Sequence, residues 1–511
     1  MALLLGEIVR RQARHRGERT AYVIGAERVT YRRLNALANR FAHALRGLGV
    51  GRGDRVATLA MNRVEYPAIY FAVAKLGAIH VPLNFRWKAA EVRYALGQSE
   101  ASVLLVARDF EEMARSLRPE LPALRHVIGL DGDGSDSAAH LLARASDGEP
   151  DAAVDERDPH VMLYTSGTTG DPKGALLSHR SYVLQAGQTQ GTTGLGEDDV
   201  GLCMFPMFHM GGWAMPLGYW ANGGCVLLME RADPAEILRL IAREGVTYLY
   251  LIPTLYDSVL ALPELDRTDL SSLRALGSGT SVMTEGQVRT IVERFRNPNL
   301  FVVYGQSEAG PISTLRPRDV LRKPTSVGRP VVNVDVSLVA ADGSPVGSGE
   351  VGEIVCRSEF NMLGYWRMPE ATAAAIVDSW MHTGDLATVD EENYIYIVDR
   401  AKDMIISGGE NIYSVEVENT LYTHPAVLEA AVIGIPDETW GEAVHAVVVC
   451  KPGMSVSAQE LIAHTRTQIA GYKIPRSIEF YPEALPKSGA GKILKRDLRE
   501  KYWVGKSRQV N

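Results

Sequence analysis

Apolar positions in the first part of the chain alternate between the spacing of helices and that of buried strands. Apolar residues recur at helical spacing over 34–45, directly after Thr30, which is a predicted N-cap. The apolar runs 56–60 and 78–82 predict strands, and the run 65–76 between them predicts a helix. Strand, helix and strand in this order predict a mostly parallel sheet with helices on its faces.

The same alternation returns at 246–251, 275–279 and 300–304, where each predicted strand leads into small or polar residues. Ligands in such sheets bind at the carboxyl ends of the strands. From 331 to 359 the pattern changes to short alternating runs separated by turn residues, which predict antiparallel hairpins. A last unit, with a helix near 414–421, two strands and another helix, follows.

The chain is predicted to fold as two domains. Its 511 residues exceed the length that one core serves, and the charged segment Asp399–Asp403 is expected to lie outside the core and to mark a boundary. The predicted fold class is α/β. Residues 1–399 form a large domain of stacked mixed and parallel sheets with helices and a small antiparallel barrel-like region, and residues 400–511 form a small α+β domain.

Composition narrows the function classes. The net charge of -7 comes without any basic tract, so nucleic acid is not an expected partner. Four widely spaced cysteines suggest neither a disulfide framework nor a zinc site and suit a reducing cytoplasm. The apolar start is too short for a signal peptide, and no apolar run reaches the length of a membrane span.

The stretch from 163 to 174 combines glycines, hydroxyls and one lysine in a manner suited to a polyphosphate. Glycine lets the backbone approach a ligand closely, and hydroxyls and an ammonium group donate to phosphate oxygens. The alternative is an ordinary surface turn. Lys173 is followed by Gly174, so this is not a Walker A loop. The candidate phosphate-binding residues are Thr165, Ser166, Gly167, Thr168, Thr169, Gly170 and Lys173.

Five further motifs follow along the chain, and each has an ordinary structural explanation when taken alone. They are Tyr304–Glu308, Thr383–Asp385, Arg400, Ser407–Asn411 and Pro486–Lys492.

Together and in this order, the motifs resemble those of the adenylate-forming superfamily, which includes acyl-CoA synthetases, amino-acid adenylation domains and beetle luciferases. The resemblance covers residues 30–496 and is strongest to ligases of fatty and aryl acids. It implies a carboxylic acid, ATP and CoA as the small-molecule substrates, with Mg²⁺ as a cofactor. It also implies a mobile small domain that rotates about Lys402 between the two steps.

The resemblance assigns roles to single residues. Glu308 would bind Mg²⁺, with Thr165 as a second ligand, and Lys492 would bridge the carboxylate and the α-phosphate. Tyr304 would stack on adenine, and Asp385 would accept the ribose hydroxyls. The nucleotide-binding residues implied beyond the phosphate loop are Gly279, Thr280, Ser281, Tyr304, Gly305, Gln306, Ser307, Asp385 and Arg400.

Two more sites are implied. His209 would gate the carboxylate site as a catalytic residue. The acid pocket would be lined by His209, Gly211, Gly212, Trp213, Gly305 and Gly310. The path of CoA would be lined by Gly408, Gly409, Glu410, Trp440 and Lys473. Phe205-Pro-Met207 lacks the aspartate of amino-acid-activating relatives, which favours an apolar acid.

Other functions on the same scaffold remain open. One is an acyl-AMP ligase that loads a carrier protein, another is a specialist in one half-reaction, and a third is a luciferase-like monooxygenase. The sequence has no obvious insertion between 331 and 399 of the kind that dedicated acyl-AMP ligases carry, which favours CoA. The enzyme is expected in the cytoplasm as a monomer or homodimer.

Overall fold

The computed structural model describes residues 2–165, 172–487 and 493–504. Within these ranges the helices are α1 (Leu5–Arg16), α2 (Tyr31–Gly47), α3 (Tyr66–Lys75), α4 (Ala89–Ser99), α5 (Arg108–Leu117), α6 (Ala138–Ala143), α7 (His179–Thr193), α8 (Met210–Asn222), α9 (Pro234–Glu244), α10 (Pro253–Leu260), α11 (Glu285–Arg294), α12 (Pro317–Val320), α13 (Pro369–Ala375), α14 (Ser414–Tyr422), α15 (Ala458–Arg466) and α16 (Lys495–Glu500).

The strands of the same ranges are β1 (Thr20–Ile24), β2 (Glu27–Thr30), β3 (Arg55–Leu59), β4 (Ile79–Pro82), β5 (Val103–Val106), β6 (His126–Gly129), β7 (Pro159–Thr165), β8 (Lys173–Ser178), β9 (Val200–Cys203), β10 (Cys225–Leu228), β11 (Tyr248–Tyr250), β12 (Ala275–Gly279), β13 (Leu300–Gln306), β14 (Gly310–Leu315), β15 (Arg329–Pro330), β16 (Val334–Val339), β17 (Gly352–Ser358), β18 (Gly364–Tyr365), β19 (Ile376–Val377), β20 (Trp380–Val389), β21 (Ile395–Arg400), β22 (Ile405–Ser407), β23 (Glu410–Ile412), β24 (Val427–Asp437), β25 (Gly441–Cys450) and β26 (Ser477–Phe480).

Four sheets organise these strands. A seven-stranded sheet has the order β18-β8-β7-β4-β3-β5-β6, and a nine-stranded sheet has the order β15-β14-β13-β12-β11-β9-β10-β1-β2. The central strands of both sheets, such as β3, β4 and β5 in one and β11, β12 and β13 in the other, pair in parallel, as the alternating pattern predicted. Strands β8 and β14, nearer one edge, pair antiparallel. An antiparallel sheet of β16, β17, β19, β20 and β21 confirms the predicted hairpins, and β22 to β26 form the sheet of the C-terminal part.

Helices fill the space between the two large sheets. Fully buried aromatic rings from α3 and α8, among them Tyr70, Phe71, Trp213 and Trp220, belong to one core cluster with strands of both sheets. Trp213 stacks on Tyr70 with ring centroids 3.9 Å apart. Burial of this much aromatic surface makes the two sheets one rigid frame for the loops at their strand ends.

The longest helix shows why local sequence suffices for many elements. Helix α2 has 17 residues and begins after Thr30, whose side chain accepts from the backbone N–H of Arg33, as the predicted N-cap requires. Its buried residues recur at helical spacing, so one face packs and the other remains in water. Within the described residues, no helix combines the length and apolarity needed to cross a membrane.

The prediction that the charged segment lies outside the core is wrong for two of its five residues, whereas Arg400, Ala401 and Lys402 are partly exposed. Asp399 is 2% exposed and Asp403 is 9% exposed. Charge alone suggested a solvated segment, but Asp399 is bonded to Ser414, and Asp403 lies 3.6 Å from a nitrogen of Arg499, so partners from distant parts of the chain offset the cost of burial.

Candidate active site

The strands that flank the predicted phosphate loop bring three polar side chains together. Residues 166–171, with Ser166, Gly167, Thr168, Thr169 and Gly170, lie outside the described part of the chain. Thr165 ends β7 opposite Lys173, the first residue of β8. The Thr165 hydroxyl donates to Oε1 of Glu308 at 2.8 Å, and Tyr365 donates to the same oxygen at 3.2 Å. The ammonium group of Lys173 lies 5.2 Å from the centre of the Tyr365 ring.

Tyr365 was not predicted from the sequence. It lies in β18, which pairs with β8 and so reaches the site from a distant part of the chain. Burial, the largest cause, and the neighbouring Glu308 carboxylate raise the pKa of the Tyr365 phenol, which therefore stays a hydrogen-bond donor at neutral pH.

Glycines fix the turn that presents Glu308. Residue 310 has a φ of 66°, and a Cβ at position 305 would lie 2.2 Å from the carbonyl oxygen of Gly310. Strands β13 and β14 can therefore approach closely only with glycine at position 305, and their register shifts at this point. A distant segment also stabilises the turn, because the backbone N–H of Met362 donates to the Glu308 carbonyl at 2.6 Å.

The oxygen donors at this turn suit magnesium. Glu308 supplies a carboxylate and Thr165 a hydroxyl, and their oxygens lie 2.8 Å apart. No group of three or more histidine, cysteine, aspartate or glutamate side chains forms a metal site in the described residues. Mg²⁺ is usually held by one or two carboxylates together with substrate phosphates. The donor set fits an ion that arrives with a nucleotide.

A second polar cluster surrounds Asp385 at the end of β13. Tyr304 donates to Oδ2 of Asp385 at 2.7 Å, and Nε of Arg400 lies 3.0 Å from Oδ1. Burial and the adjacent carboxylate raise the pKa of the Tyr304 phenol. The structure thus brings together Tyr304, Asp385 and Arg400, and strand β13 joins this cluster to Glu308.

Glu353 holds the turn that carries Asp385 and was not predicted from the sequence. The backbone N–H of Gly384 donates to Oε1 of Glu353 at 2.8 Å, and Nδ1 of His382 lies 2.9 Å from Oε2. Residue 384 has a φ of 71°, which favours glycine. A glutamate within a predicted hairpin gave no signal of this role.

Strand β12 approaches its neighbours too closely for side chains at its end. A Cβ on Gly279 would lie 2.2 Å from the hydroxyl of Tyr250 and 2.4 Å from the carbonyl of Val303. Thr280, directly after it, has a φ of 71° and is exposed with Ser281. A non-glycine residue in this conformation marks stored backbone strain. Gln306 and Ser307 are partly buried at the neighbouring strand end.

His209 is the N-cap of α8. Its Nδ1 accepts from the backbone N–H of Gly211 at 3.2 Å, and burial lowers its pKa to about 4. The ring is therefore neutral at pH 7 and carries its proton on Nε2, as a donor. A Cβ on Gly212 would lie 2.1 Å from the carbonyl of Pro206, so this turn needs glycine. Trp213 corrects a prediction, because it has no exposed surface and packs in the aromatic core instead of lining a pocket.

The segment before His209 is held by two residues that sequence reasoning missed. The side-chain amide of Asn62 donates to the carbonyls of Phe205 and Met229 at 2.9 Å, and its oxygen accepts from the N–H of Met207 at 2.8 Å. Tyr70 donates to the Met207 carbonyl at 2.8 Å. The ring of Phe205 contacts that of Tyr250 with centroids 5.8 Å apart, which links this segment to Gly279.

The C-terminal part brings together four of the predicted CoA-path residues. Gly408 and Gly409 have φ values of 63° and 86°, and Glu410 follows on β23. A Cβ on Gly408 would lie 2.5 Å from the ring of Trp440, which is 43% exposed. The guanidinium of Arg476, a residue missed from the sequence, lies 5.0 Å from the centre of that ring.

The remaining predicted residues of the C-terminal part are three lysines, at positions 473, 402 and 492. Lys473 donates to both carboxylate oxygens of Glu416 at 2.8 Å. Burial lowers the pKa of Lys402, at the predicted hinge. Lys492 belongs to residues 488–492, which lie outside the described part of the chain.

Comparisons with known proteins cover the whole chain. The family model "AMP-binding enzyme" matches residues 9–366, and "AMP-binding enzyme C-terminal domain" matches residues 416–492. The chain is 40% identical to a feruloyl-CoA synthase of an Amycolatopsis species, over 98% of the chain and 99% of that protein. It is 37% identical to long-chain-fatty-acid–CoA ligase FadD13 of Mycobacterium tuberculosis, over 93% of each.

Solved structures of acid–CoA ligases and related enzymes share the fold of this chain. The anthranilate CoA ligase AuaEII in complex with anthranoyl-AMP superposes with a TM-score of 0.90 at 32% identity, over 98% of each chain. ATP-bound MatB from Rhodopseudomonas palustris superposes with a TM-score of 0.89 at 30% identity, over 98% of this chain and 99% of that one.

Proposed function

We propose, from the premise that this chain belongs to the AMP-binding enzymes, that it activates an apolar fatty or aryl acid as an acyl-AMP and transfers the acyl group to CoA. The observation that carries the proposal is the pair of clusters joined by β13, one around Glu308 and one around Asp385. A nucleotide lying across the end of β13 would place its phosphates at the Glu308 cluster and its ribose at the Asp385 cluster.

The reaction has two steps, adenylation of the acid and formation of the thioester. A carboxylate oxygen attacks the α-phosphorus of ATP, the bond to the bridging oxygen breaks, and pyrophosphate leaves. The CoA sulfur then attacks the acyl carbon, the thiol proton is lost, and AMP leaves with the oxygen. Both transition states place negative charge on phosphate or carbonyl oxygens, so fixed donors and cations are required there.

We assign the first step to the following residues. Lys173 and the loop after Thr165 hold the β- and γ-phosphates. Glu308 with Thr165 would hold Mg²⁺, which would neutralise phosphate charge when bound. Lys492 bridges the carboxylate and the α-phosphate. The neutral ring of His209 donates from Nε2 to the acid, because its Nδ1 is occupied by Gly211.

The nucleoside is held at the other cluster. Asp385 accepts the ribose hydroxyls, supported by Arg400, and Tyr304 borders the adenine. Nε of Arg400 lies 3.0 Å from Oδ1 of Asp385, and this ion pair fixes the position of the carboxylate. The glycine-rich end of β12, with Thr280 and Ser281, and the residues from Gly305 to Ser307 complete the nucleotide site.

We assign the CoA path to Gly408, Gly409, Glu410, Trp440 and Lys473. The exposed indole of Trp440 offers apolar surface to the pantetheine chain, and Arg476, whose guanidinium lies 5.0 Å from the ring centre, offers a charge to a CoA phosphate. Rotation of residues 400–511 about Lys402 would bring this path to the acyl-AMP.

A panel of acids tested with and without CoA distinguishes a CoA ligase from a ligase that loads a carrier protein. Purified enzyme, ATP and Mg²⁺ are supplied with ferulate, anthranilate, indoleacetate or dodecanoate, with and without CoA. We expect AMP release in multiple turnovers only when an acid and CoA are both present. Acyl-AMP that accumulates regardless of CoA and is discharged only by a carrier protein would contradict the ligase and favour the acyl-AMP ligase.

Replacement of Lys492 separates the two steps. We expect K492A to lower acid-dependent ATP–pyrophosphate exchange by at least about 100-fold, because a donor at the reacting phosphate is removed. Thioester formation from supplied acyl-AMP should change by less than about fivefold. K501A, which removes an exposed lysine paired with Glu479, is the control. Equal losses in both steps would contradict the two-orientation assignment.

The cysteines bear on the cellular setting. All four cysteines are free, which suits a reducing compartment, and we place the enzyme in the cytoplasm. A monomer or homodimer is proposed.

A further inference from the structure

A carboxylate on one side of the predicted hinge is bonded to a helix on the other side. Asp399 lies in β21 and is 2% exposed. Its Oδ2 accepts from the backbone N–H of Ser414, and the Ser414 hydroxyl lies 3.0 and 2.8 Å from the two carboxylate oxygens. Ser414 is the first residue of α14, so a negative charge sits where the helix has unpaired N–H groups.

A buried lysine completes this cluster. Nζ of Lys495 donates to the Ser414 hydroxyl at 2.6 Å and lies 2.7 Å from Oε1 of Glu418. The side chains of Lys495 and Glu418 are 13% and 12% exposed. Glu418 also accepts from the backbone N–H of Val432 at 2.7 Å, in β24. Asp399 is thus tied to α14, α16 and the sheet of the C-terminal part.

These bonds cross Lys402. Asp399 precedes it and is held in the large domain, where β21 pairs with β20, whereas Ser414 and Lys495 follow it. A rotation about Lys402 moves the two sets apart. Farther from the hinge, the packing between the two parts is open, with a groove of about 470 Å³ between α10, α11 and the end of α14 at Tyr422 and Thr423.

We infer that Asp399 is a positioning residue that holds the small domain in one of its two orientations through Ser414 and Lys495, a cluster we term the hinge latch. The inference rests on the proposed two-step function. Asp399, Ser414 and Lys495 are not among the residues assigned to the nucleotide or the acid, although Oδ1 of Asp399 also accepts from the backbone N–H of Arg400 at 2.7 Å. Weakening the latch therefore changes the populations of the two domain orientations. The two half-reactions, each carried out in one orientation, then change unequally.

Variants D399N and S414A test the hinge latch. Each is measured in ATP–pyrophosphate exchange and in thioester formation from supplied acyl-AMP, with the best acid of the panel. A hydrogen bond to a charged group contributes enough free energy that its loss should change the ratio of the two rates by about tenfold. The double variant should change the ratio no more than D399N alone, because both remove the same contact. E479Q is the matched control, since its ion pair with Lys501 lies wholly within the small domain.

The outcomes are distinguishable. An altered ratio in D399N with the melting temperature of E479Q supports the hinge latch, and an unchanged ratio or a parallel loss of both rates overturns it. If no acid is activated, the proposed function fails, and trypsin decides about the latch alone. Cleavage after Arg400 and Lys402 that is about tenfold faster in D399N supports it, and cleavage at the rate of E479Q overturns it.

Discussion

In the proposed binding mode, single side chains around Asp385 determine how well the ribose is bound. The carboxylate is fixed by Tyr304 and Arg400, and its backbone turn is fixed by Glu353 through the N–H of Gly384. Glu353 does not touch the nucleotide in the proposed mode, but it decides where Asp385 stands. Small displacements of a positioning group cost binding energy without removing any contact group.

For E353Q we expect the KM for ATP to rise about tenfold, because a neutral amide replaces a charge-assisted acceptor for Gly384 and His382. The kcat should fall by less than about threefold, since the reacting groups stay in place. Steady-state kinetics with varied ATP measures both. D335N is the control, because Asp335 forms an exposed ion pair with Arg357 in the same sheet. A change in the KM for the acid alone would contradict the role given to Glu353.

At the scale of elements, the connection between β9 and α8 depends on one buried amide. Asn62 satisfies three backbone groups, at Phe205, Met207 and Met229, and it is 4% exposed. Because these groups lie at the ends of two different strands, Asn62 fixes the entry into α8 and with it His209.

We expect N62A to lower the free energy of unfolding by about 2–4 kcal/mol, since three buried backbone groups lose their partner. Urea unfolding measures this. The KM for the acid should rise while the KM for ATP stays within about twofold, because only the His209 segment loosens. N222A is the matched control, since Asn222 makes one local bond to Gly218 in α8. Equal changes in both KM values would show a general loss of structure instead.

The same elements show how far sequence reasoning reached. Helix α14, predicted near 414–421, spans Ser414–Tyr422, and β12 spans the predicted residues 275–279. Periodicity, caps and glycines are local signals, and they located these elements. Tyr365, Asn62 and Glu353 were missed because their roles come from contacts between distant parts of the chain. Asp399 was judged by its charge alone. Ser414 lies 15 positions from it and Lys495 lies 81 positions from Ser414, and no local pattern encodes such contacts.

At the scale of the whole molecule, neutral histidines in the core make stability depend on pH. Burial lowers the pKa of His80 to about 3 and that of His179 to about 4, and lowers that of His160 as well. Both ring nitrogens of His160 lack a hydrogen-bond partner among the described residues. In the unfolded chain these rings take up protons below about pH 6.5. Their contribution to stability is therefore present above that pH and is lost as the pH falls toward 4.

We expect the melting temperature to fall between pH 6.5 and pH 5, at up to about 1.4 kcal/mol of unfolding free energy per histidine and pH unit. Three carboxyl groups among the described residues oppose this trend, because burial raises the pKa of Glu418 to about 7 and also raises the pKa values of Asp399 and Asp257. They are outnumbered by six histidines with a lowered pKa. H160F should flatten the slope, and H15Q, at an exposed histidine, should leave it unchanged. A slope in H160F equal to that of the wild type would contradict this account.

The buried cysteines have a chemical consequence for an enzyme that makes mixed anhydrides. Burial raises the thiol pKa of Cys203 and Cys356 to about 12 and that of Cys225 to about 11. At neutral pH these sulfurs are almost entirely protonated and are poor nucleophiles. An activated acyl group that escapes attack by CoA therefore finds little thiolate on these three residues, and the enzyme is protected from acylating itself at them.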